Sequence, residues 1–313
     1  MKTIIIILGA ARSGSTLLAK TLGGHSSCFT LGEINRFNQE INNPNTLCGC
    51  GEKLNKCSFW IQSLNELSIK FGISVDENEN DFYMEISKQL TKRNKLHKLF
   101  PTILFKKAYY NKSIEKEIKN TFKLYENIFS QTNGDVIIDS SKGLFRALIL
   151  ESRSPENVEF KFVQLMRDGR GVLNSTLKSS YNIKLNDEIV KEYENNSEKD
   201  PINTINTWLY VNIRNLMLLS LFRRSNSIFV RYEDFTTNPS KYLRKIFKTV
   251  NLKFYDSLLN LGENENHILG GNSSRINAKE IKKQDEAWRT NLDVHMLHKF
   301  NYRAGWLNKI LGY

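Results

Sequence analysis

The residues best equipped by type and spacing to do chemistry begin at Gly9-Ala10-Ala11-Arg12-Ser13-Gly14-Ser15-Thr16-Leu17. Two glycines, a guanidinium and three hydroxyls in one short turn suit an anion. The N–H groups of Ser13 to Thr16 and a helix N-terminus can point at its oxygens while Arg12 adds a charge-assisted bond. A second cationic turn, Arg167-Asp168-Gly169-Arg170-Gly171, is followed by Ser175. Eight positions separate Arg167 from Ser175, so both can reach one group if the early turns of an intervening helix face it. Two such turns suit a ligand with phosphates at two separated points. Glu33, after Gly32, lies where it would border the first turn, and Lys142 follows Ser140-Ser141 at the end of an apolar run.

The spacing Gly9-(four residues)-Gly14 with Thr16 nearly spells the triphosphate-binding loop, but Ser15 stands where that motif has its lysine. The turn is therefore an anion cradle without the triphosphate lysine. A P-loop kinase or NTPase is opposed by Ser15 and by the lack of a clear Mg²⁺-holding strand aspartate, although Asp139 can be argued for it. A nucleic-acid-binding protein draws on the net charge and on the basic, aromatic stretch Lys92–Lys112, with His97, Phe100, Phe105, Tyr109 and Tyr110. That reading leaves both cationic turns unexplained. Cys48, Cys50 and Cys57 sit in an Asn-, Pro- and Gly-rich loop, a spacing that can hold a metal with His25 or Cys28 as fourth ligand. Loop thiols without metal are the default, and no metal is assigned.

The elements that must position these groups follow from apolar runs and breakers. Ile4–Leu8 reads as a buried parallel strand, Leu17–Leu22 as a helix stopped by Gly23-Gly24, and Cys28–Glu33 as the next strand. Trp60–Phe129 is helical and charged, with an acidic break at 76–81, and residues 61–130 are read as a helical insertion capping the acceptor site. Val136–Asp139 is a strand, with Ser140 or Ser141 as N-cap of a helix from Leu144, and Phe160–Met166 is another. Residues 181–203 read as a mobile excursion or lid, and Trp208–Phe222 as an apolar core helix. Ser227–Asp234 reads as a strand with a polar end, Lys241–Val250 as an amphipathic helix, 270–275 as a flexible loop, and a last helix starts near Leu292. No repeat or boundary divides the chain, so 1–313 is read as one α/β domain. Its central parallel sheet is flanked by helices, as in P-loop proteins, with a helical cap.

With 313 residues and 40% hydrophobic content, the chain is long enough to bury a full core. A formal charge of +12 favours anionic partners without choosing among them. The N-terminal Ile run is too short to span a membrane and leads into the cradle. That and the clustered cysteines give a cytoplasmic, reducing location as the expectation. Oligomeric state is not legible.

In order, spacing and position, the two turns resemble those of the sulfotransferase superfamily, whose sulfuryl donor is 3′-phosphoadenosine 5′-phosphosulfate (PAPS). The resemblance implies that Arg12, Ser13, Gly14, Ser15, Thr16 and Leu17 hold the 5′-phosphosulfate and that Arg167 and Ser175 hold the 3′-phosphate. It further implies that Tyr232 lies near the adenine and that Asn272, Ser274 and Arg275 belong to a loop closing on the nucleotide. Leu31-Gly32-Glu33 is similar to the Gly-Glu pair of bacterial and protein-tyrosine-type members, which makes Glu33 the catalytic base, with Arg12 and Lys142 stabilising charge. Asp139 and His25 are lesser base candidates. The CxCG and Cys-Ser-Phe-Trp elements also resemble bacterial sulfotransferases and are read as structural. The implied reaction is sulfuryl transfer to a hydroxyl or amine of a small molecule, carbohydrate or peptide, leaving adenosine 3′,5′-bisphosphate. No metal, nucleic acid or membrane span is expected.

Overall fold

The computed structural model describes residues 1–73, 112–178, 180–185, 188–194, 200–262, 265–283 and 286–313. The acidic break at 76–81 and nearly all of the basic, aromatic stretch lie outside the described residues. So does most of the expected cap; its flanks are the helices at its two ends.

Five strands form one parallel sheet: β1 (Lys2–Leu8), β2 (Cys28–Gly32), β3 (Val136–Lys142), β4 (Val158–Met166) and, last in sequence, Ser227–Arg231. Between β4 and that last strand, Ser180–Leu185 (β5) and Glu188–Glu194 (β6) pair antiparallel as a separate ribbon, which makes Ser227–Arg231 β7. The sheet order is β2-β3-β1-β4-β7, with β1 in the middle. Burial on both faces is what the five-residue apolar run in β1 requires: Ile4, Ile6 and Leu8 enter one core while Ile5 and Ile7 enter the other. Each fully buried Ile contributes about 1.5–3 kcal/mol, so β1 anchors both layers.

Helices α1 (Ser15–Gly23), α2 (Phe37–Ile41), α3 (Ser58–Phe71), α4 (Lys112–Thr132), α5 (Leu144–Ser152), α6 (Gly169–Leu177) and α7 (Pro201–Phe222) follow in order. They are succeeded by α8 (Tyr232–Thr237), α9 (Pro239–Lys248), α10 (Ser274–Asn277), α11 (Trp288–Asn291) and α12 (Val294–Ile310). The apolar faces of α3, α4 and α5 close the Ile4/Ile6 side, and those of α1, α8 and α9 close the Ile5/Ile7 side. A third cluster, with Trp208 of α7, Trp288 of α11 and Phe300 of α12, packs against Val172 and Leu173 of α6. It buttresses the second cationic turn from behind.

Several local expectations change. β3 runs on to Lys142, so Ser140 and Ser141 are strand residues and not caps; Gly143 occupies the N-cap of α5 without a side-chain bond. β7 ends at Arg231, and Tyr232 already starts α8. The polar excursion after α6 contains the β5–β6 ribbon. α7 is not buried all round: Tyr210, Met217 and Leu221 are exposed. On its buried side, Asn215 Nδ2 donates to Gln164 Oε1 at 2.8 Å and Asn212 Nδ2 to the Trp208 carbonyl at 2.8 Å. The segment at 270–275 is held by named contacts and runs into α10. No helix among the described residues is long and apolar enough to cross a membrane.

Candidate functional site

The sheet register brings the chemistry-bearing residues to one edge. Leu8 pairs with both Lys142 and Gln164, Gly32 pairs with Asp139, and Met166 with Arg231. The loops that follow β1, β2, β3, β4 and β7 therefore open on a common crevice at the carboxyl ends of the strands, where α/β proteins bind ligands.

The first turn is shaped by its backbone. Arg12 has φ 67° and Gly14 φ 92°, so the chain folds sharply before α1 begins, and the Ser13 N–H closes the turn on the Ala10 carbonyl at 3.3 Å. Gly14 is required for a second reason: a Cβ there would run into the ring of Tyr232. Gly14 N-caps α1 without a side-chain bond, and the first N–H groups of a helix have no intrahelical partner. Ser13 Oγ is fully buried and has no hydrogen-bond partner among the described residues. An unpaired buried hydroxyl costs about 1–3 kcal/mol, a deficit that an anion in the turn removes.

The second turn locks onto the first. Arg167 Nη1 donates to the Arg12 carbonyl at 2.7 Å, and its guanidinium lies 4.8 Å from the Tyr232 ring centroid. Trp208 Nε1 donates to the Arg167 carbonyl at 3.1 Å. Asp168 caps α6 through the Arg170 N–H at 2.9 Å and also accepts from Arg170 Nε and from Asn308 Nδ2. Arg170, stacked 4.0 Å from the Trp288 ring centroid, thus organises the turn. Ser175 is partly exposed on α6. Glu233 of α8 accepts the Asp168 N–H at 3.0 Å. Burial pushes its carboxyl up from the usual carboxylate range, against the pull of that N–H and of Arg167.

Glu33 and Lys142 form an ion pair across the ends of β2 and β3. Lys142 has φ 63°, a left-handed conformation at the strand's end. The two side chains are 17% and 18% exposed, sheltered but open to the crevice. The Glu33 N–H donates to the Leu269 carbonyl at 2.9 Å, and the Leu269 N–H to the Leu31 carbonyl at 3.0 Å, so the 269 segment fixes the carboxylate's backbone. Arg36, three residues after Glu33, pairs with Glu40.

The lesser base candidates are already engaged in packing and hydrogen bonds. Asp139 is fully buried and accepts from Tyr125 OH at 2.7 Å, Arg146 Nη1 at 3.1 Å and the Ser141 N–H at 2.8 Å. His25 packs on Phe247 and Tyr255, and its Nδ1 accepts the Ser27 N–H. Burial lowers its pKa.

The 270–275 segment closes over α1. Gly271 approaches Thr16 so closely that a Cβ would meet its Oγ1 at 2.9 Å, and the Asn272 N–H faces Thr16 Oγ1 at 3.4 Å. Asn272 Oδ1 accepts the Ser274 N–H. Arg275 is buried with Nη1 on the Gly271 and Asn272 carbonyls and Nη2 on the Leu47 carbonyl. Its fork ties loops together and leaves Nε buried without a partner among the described residues. Beside this segment lies a cleft of about 950 Å³ lined by Leu17, Tyr232, Leu259, Ser273, Ser274 and Ala278. Lys20 Nζ donates to the Ala278 carbonyl at 2.8 Å, and burial brings its pKa down to about 8.

The structure thus brings Arg12, Ser13, Gly14, Thr16, Arg167, Tyr232, Asn272 and Arg275 around one cradle, with Glu33 and Lys142 on the same sheet edge. Leu269 and Lys20 carry no motif, and Asp168, although it stands within the second turn, shows its role as cap and anchor only in the fold. The cysteine loop corrects another expectation: Cys48, Cys50 and Cys57 converge with His267, not with His25 or Cys28.

No family model matches the sequence, and no curated protein matches it significantly. Among solved structures, the fold is similar to the sulfotransferase domain of the curacin biosynthetic pathway, at 19% identity and TM-score 0.54, covering 98% of each chain. Also similar are the sulfotransferase domain of the Synechococcus PCC 7002 olefin synthase and sulfotransferase STF1 from Mycobacterium tuberculosis H37Rv. The first is 18% identical, covers 100% of this chain and 95% of that one, and has TM-score 0.49. The second is 14% identical, covers 83% and 70%, and has TM-score 0.44. The curacin-pathway likeness shows that this chain has the fold of a sulfotransferase domain.

Proposed function

We propose that the protein is a sulfotransferase that moves a sulfuryl group from PAPS to a hydroxyl or amine of a small molecule, carbohydrate or peptide. The observation that carries this reading is the joint between the two cationic turns, Arg167 Nη1 on the Arg12 carbonyl. It makes one cradle with two anion-holding ends. A donor with phosphates at its 5′ and 3′ positions uses both ends, whereas a nucleoside triphosphate uses one and wants the lysine that Ser15 replaces. The residues fit such a ligand: Ser13 Oγ awaits a partner, the N–H groups at the start of α1 are uncapped, and the cleft past Tyr232 has room for a base. Asp139, the carboxylate a magnesium-dependent kinase reading would use, is already occupied by Tyr125, Arg146 and Ser141.

Bound PAPS supplies an activated sulfur whose bond to the bridging phosphate oxygen is replaced by a bond to the acceptor atom. Glu33 takes the proton released by that acceptor. Arg12 and Lys142 neutralise the charge that develops on the departing phosphate oxygen. The remaining residues position, as in phosphoryl transfer, where the protein has little covalent work to do. The fixed backbone at Leu269 holds Glu33 at the crevice before substrate arrives.

Calorimetry tests the donor assignment. Adenosine 3′,5′-bisphosphate is expected to bind much more tightly than ADP, because Arg167 and Ser175 face no 3′-phosphate in ADP; equal affinities would sink the assignment. Arg167→Ala should weaken the bisphosphate by about 2 kcal/mol, the scale of a lost charged hydrogen bond, or roughly 30-fold in Kd.

A further inference from the structure

The four potential ligand atoms of Cys48, Cys50, Cys57 and His267 all lie within 4.8 Å of one another. Three of their separations are specific: Cys50 Sγ to Cys57 Sγ 3.8 Å, Cys48 Sγ to His267 Nδ1 3.7 Å, and Cys57 Sγ to His267 Nδ1 3.4 Å. A tetrahedral zinc with Zn–S of about 2.3 Å and Zn–N of about 2.0–2.1 Å has edges of about 3.8 Å between sulfurs and about 3.6 Å between sulfur and nitrogen. Three of the six edges stand close to these lengths, and the others are no longer than 4.8 Å. A disulfide needs its sulfurs at about 2.05 Å, and all four cysteines are free.

From this geometry we propose that Cys48, Cys50, Cys57 and His267 Nδ1 form a structural zinc site. Three soft thiolates and one imidazole in tetrahedral array select zinc over the hard, oxygen-seeking cations, and four protein ligands leave no open position for catalysis. Thiol protons are released to solvent as the thiolates bind the metal, and no oxidant or reductant is needed.

The surroundings are built to hold the ligands. The His267 ring stacks on Phe59 with centroids 4.7 Å apart and planes 7° from parallel, and its carbonyl accepts from Trp60 Nε1 at 2.9 Å. Its other ring nitrogen, Nε2, lies 3.6 Å from Oε1 of the exposed Glu265, beyond a hydrogen bond but on the side where a carboxylate can orient a metal-ligating histidine. Cys57 is the N-cap residue of α3, and the Gly49 N–H donates to the Ile268 carbonyl at 3.1 Å, knitting the two loops beside the cluster. Cys48 and Cys57 are buried, while Cys50 and His267 are partly exposed and give an ion its way in.

The site's purpose follows from what it joins. His267 is two residues from Leu269, which holds the Glu33 N–H, and the chain then passes Gly271 against Thr16 and reaches Arg275, whose Nη2 returns to Leu47 beside Cys48. Zinc staples the cysteine loop to the segment that both seats the carboxylate and closes the anion cradle.

The test is metal content, which does not depend on any reading of the reaction. Protein purified under reducing conditions should carry about one zinc per chain by inductively coupled plasma mass spectrometry. Cys57→Ser and His267→Ala should lose it, while Cys28→Ser should keep it. Cobalt(II) reconstitution of the wild-type chain after zinc removal should give intense visible d–d bands and thiolate charge transfer, a tetrahedral signature that requires no variant to fold. Wild-type protein with four titratable thiols that takes up neither zinc nor cobalt overturns the proposal, as does a Cys50–Cys57 disulfide found by mass spectrometry in protein kept reduced.

Discussion

Two carboxylates stand one strand apart on the same sheet edge and have opposite fates. Glu33 leaves the edge strand β2 at its end, has one cationic partner in Lys142, and stays partly open to the crevice. Asp139 sits within β3, between β1 and β2, fully buried, with three donors. A buried carboxylate with three donors is a structural device, because any proton it takes breaks a network; one with a single exchangeable partner at an open edge is equipped to receive a proton. Glu233 falls between them, buried by the second turn, where it accepts the Asp168 N–H.

The largest expected effect belongs to Glu33. Glu33→Gln keeps the shape and removes the base, so turnover should fall by about 10²–10⁴-fold while bisphosphate affinity and urea stability barely change. Wild-type turnover in this variant would erase the contrast between the two groups.

Asp139→Asn should do the reverse. It leaves the Arg146 guanidinium, buried with Glu117 and Asp139 as its carboxylate partners, short of counter-charge, and breaking such a pair costs about 3–5 kcal/mol. Urea unfolding should show that loss, with turnover per folded molecule near wild type. A stable Asp139→Asn protein with collapsed turnover would move the base to β3.

The smallest effect is at Glu233. Its folded-state pKa is raised, so its contribution to stability is full below the unfolded value and is lost as pH rises through the folded one. Glu233→Gln retains an acceptor for the Asp168 N–H and removes that dependence. Melting temperatures followed from acid to neutral pH should fall more in wild type than in the variant; parallel curves would show that Glu233 is as solvated as an ordinary surface carboxylate.

Much of this was written in local chemistry. The apolar run Ile4–Leu8 can only be a buried strand, and a turn of Gly, Arg and hydroxyls after it can only bend and present N–H groups, so cradle and parallel sheet were legible without coordinates. The placing of Arg167 and Glu33 one residue past a strand was legible for the same reason. The sequence did not determine where donors would be used. Arg275 reads as a cation of the loop that closes on the nucleotide, yet its fork closes on three carbonyls, because a buried guanidinium must satisfy whatever backbone surrounds it. Asp139 reads as available until Tyr125 and Arg146, brought by α4 and α5, cover it. The fourth ligand of the cysteine cluster, His267, lies 210 residues from Cys57, and no spacing rule reaches so far. Residues near in sequence share an element and so a predictable face. Residues this distant meet only because the sheet sets the loops after its strands side by side, and that was decided by the tertiary structure alone.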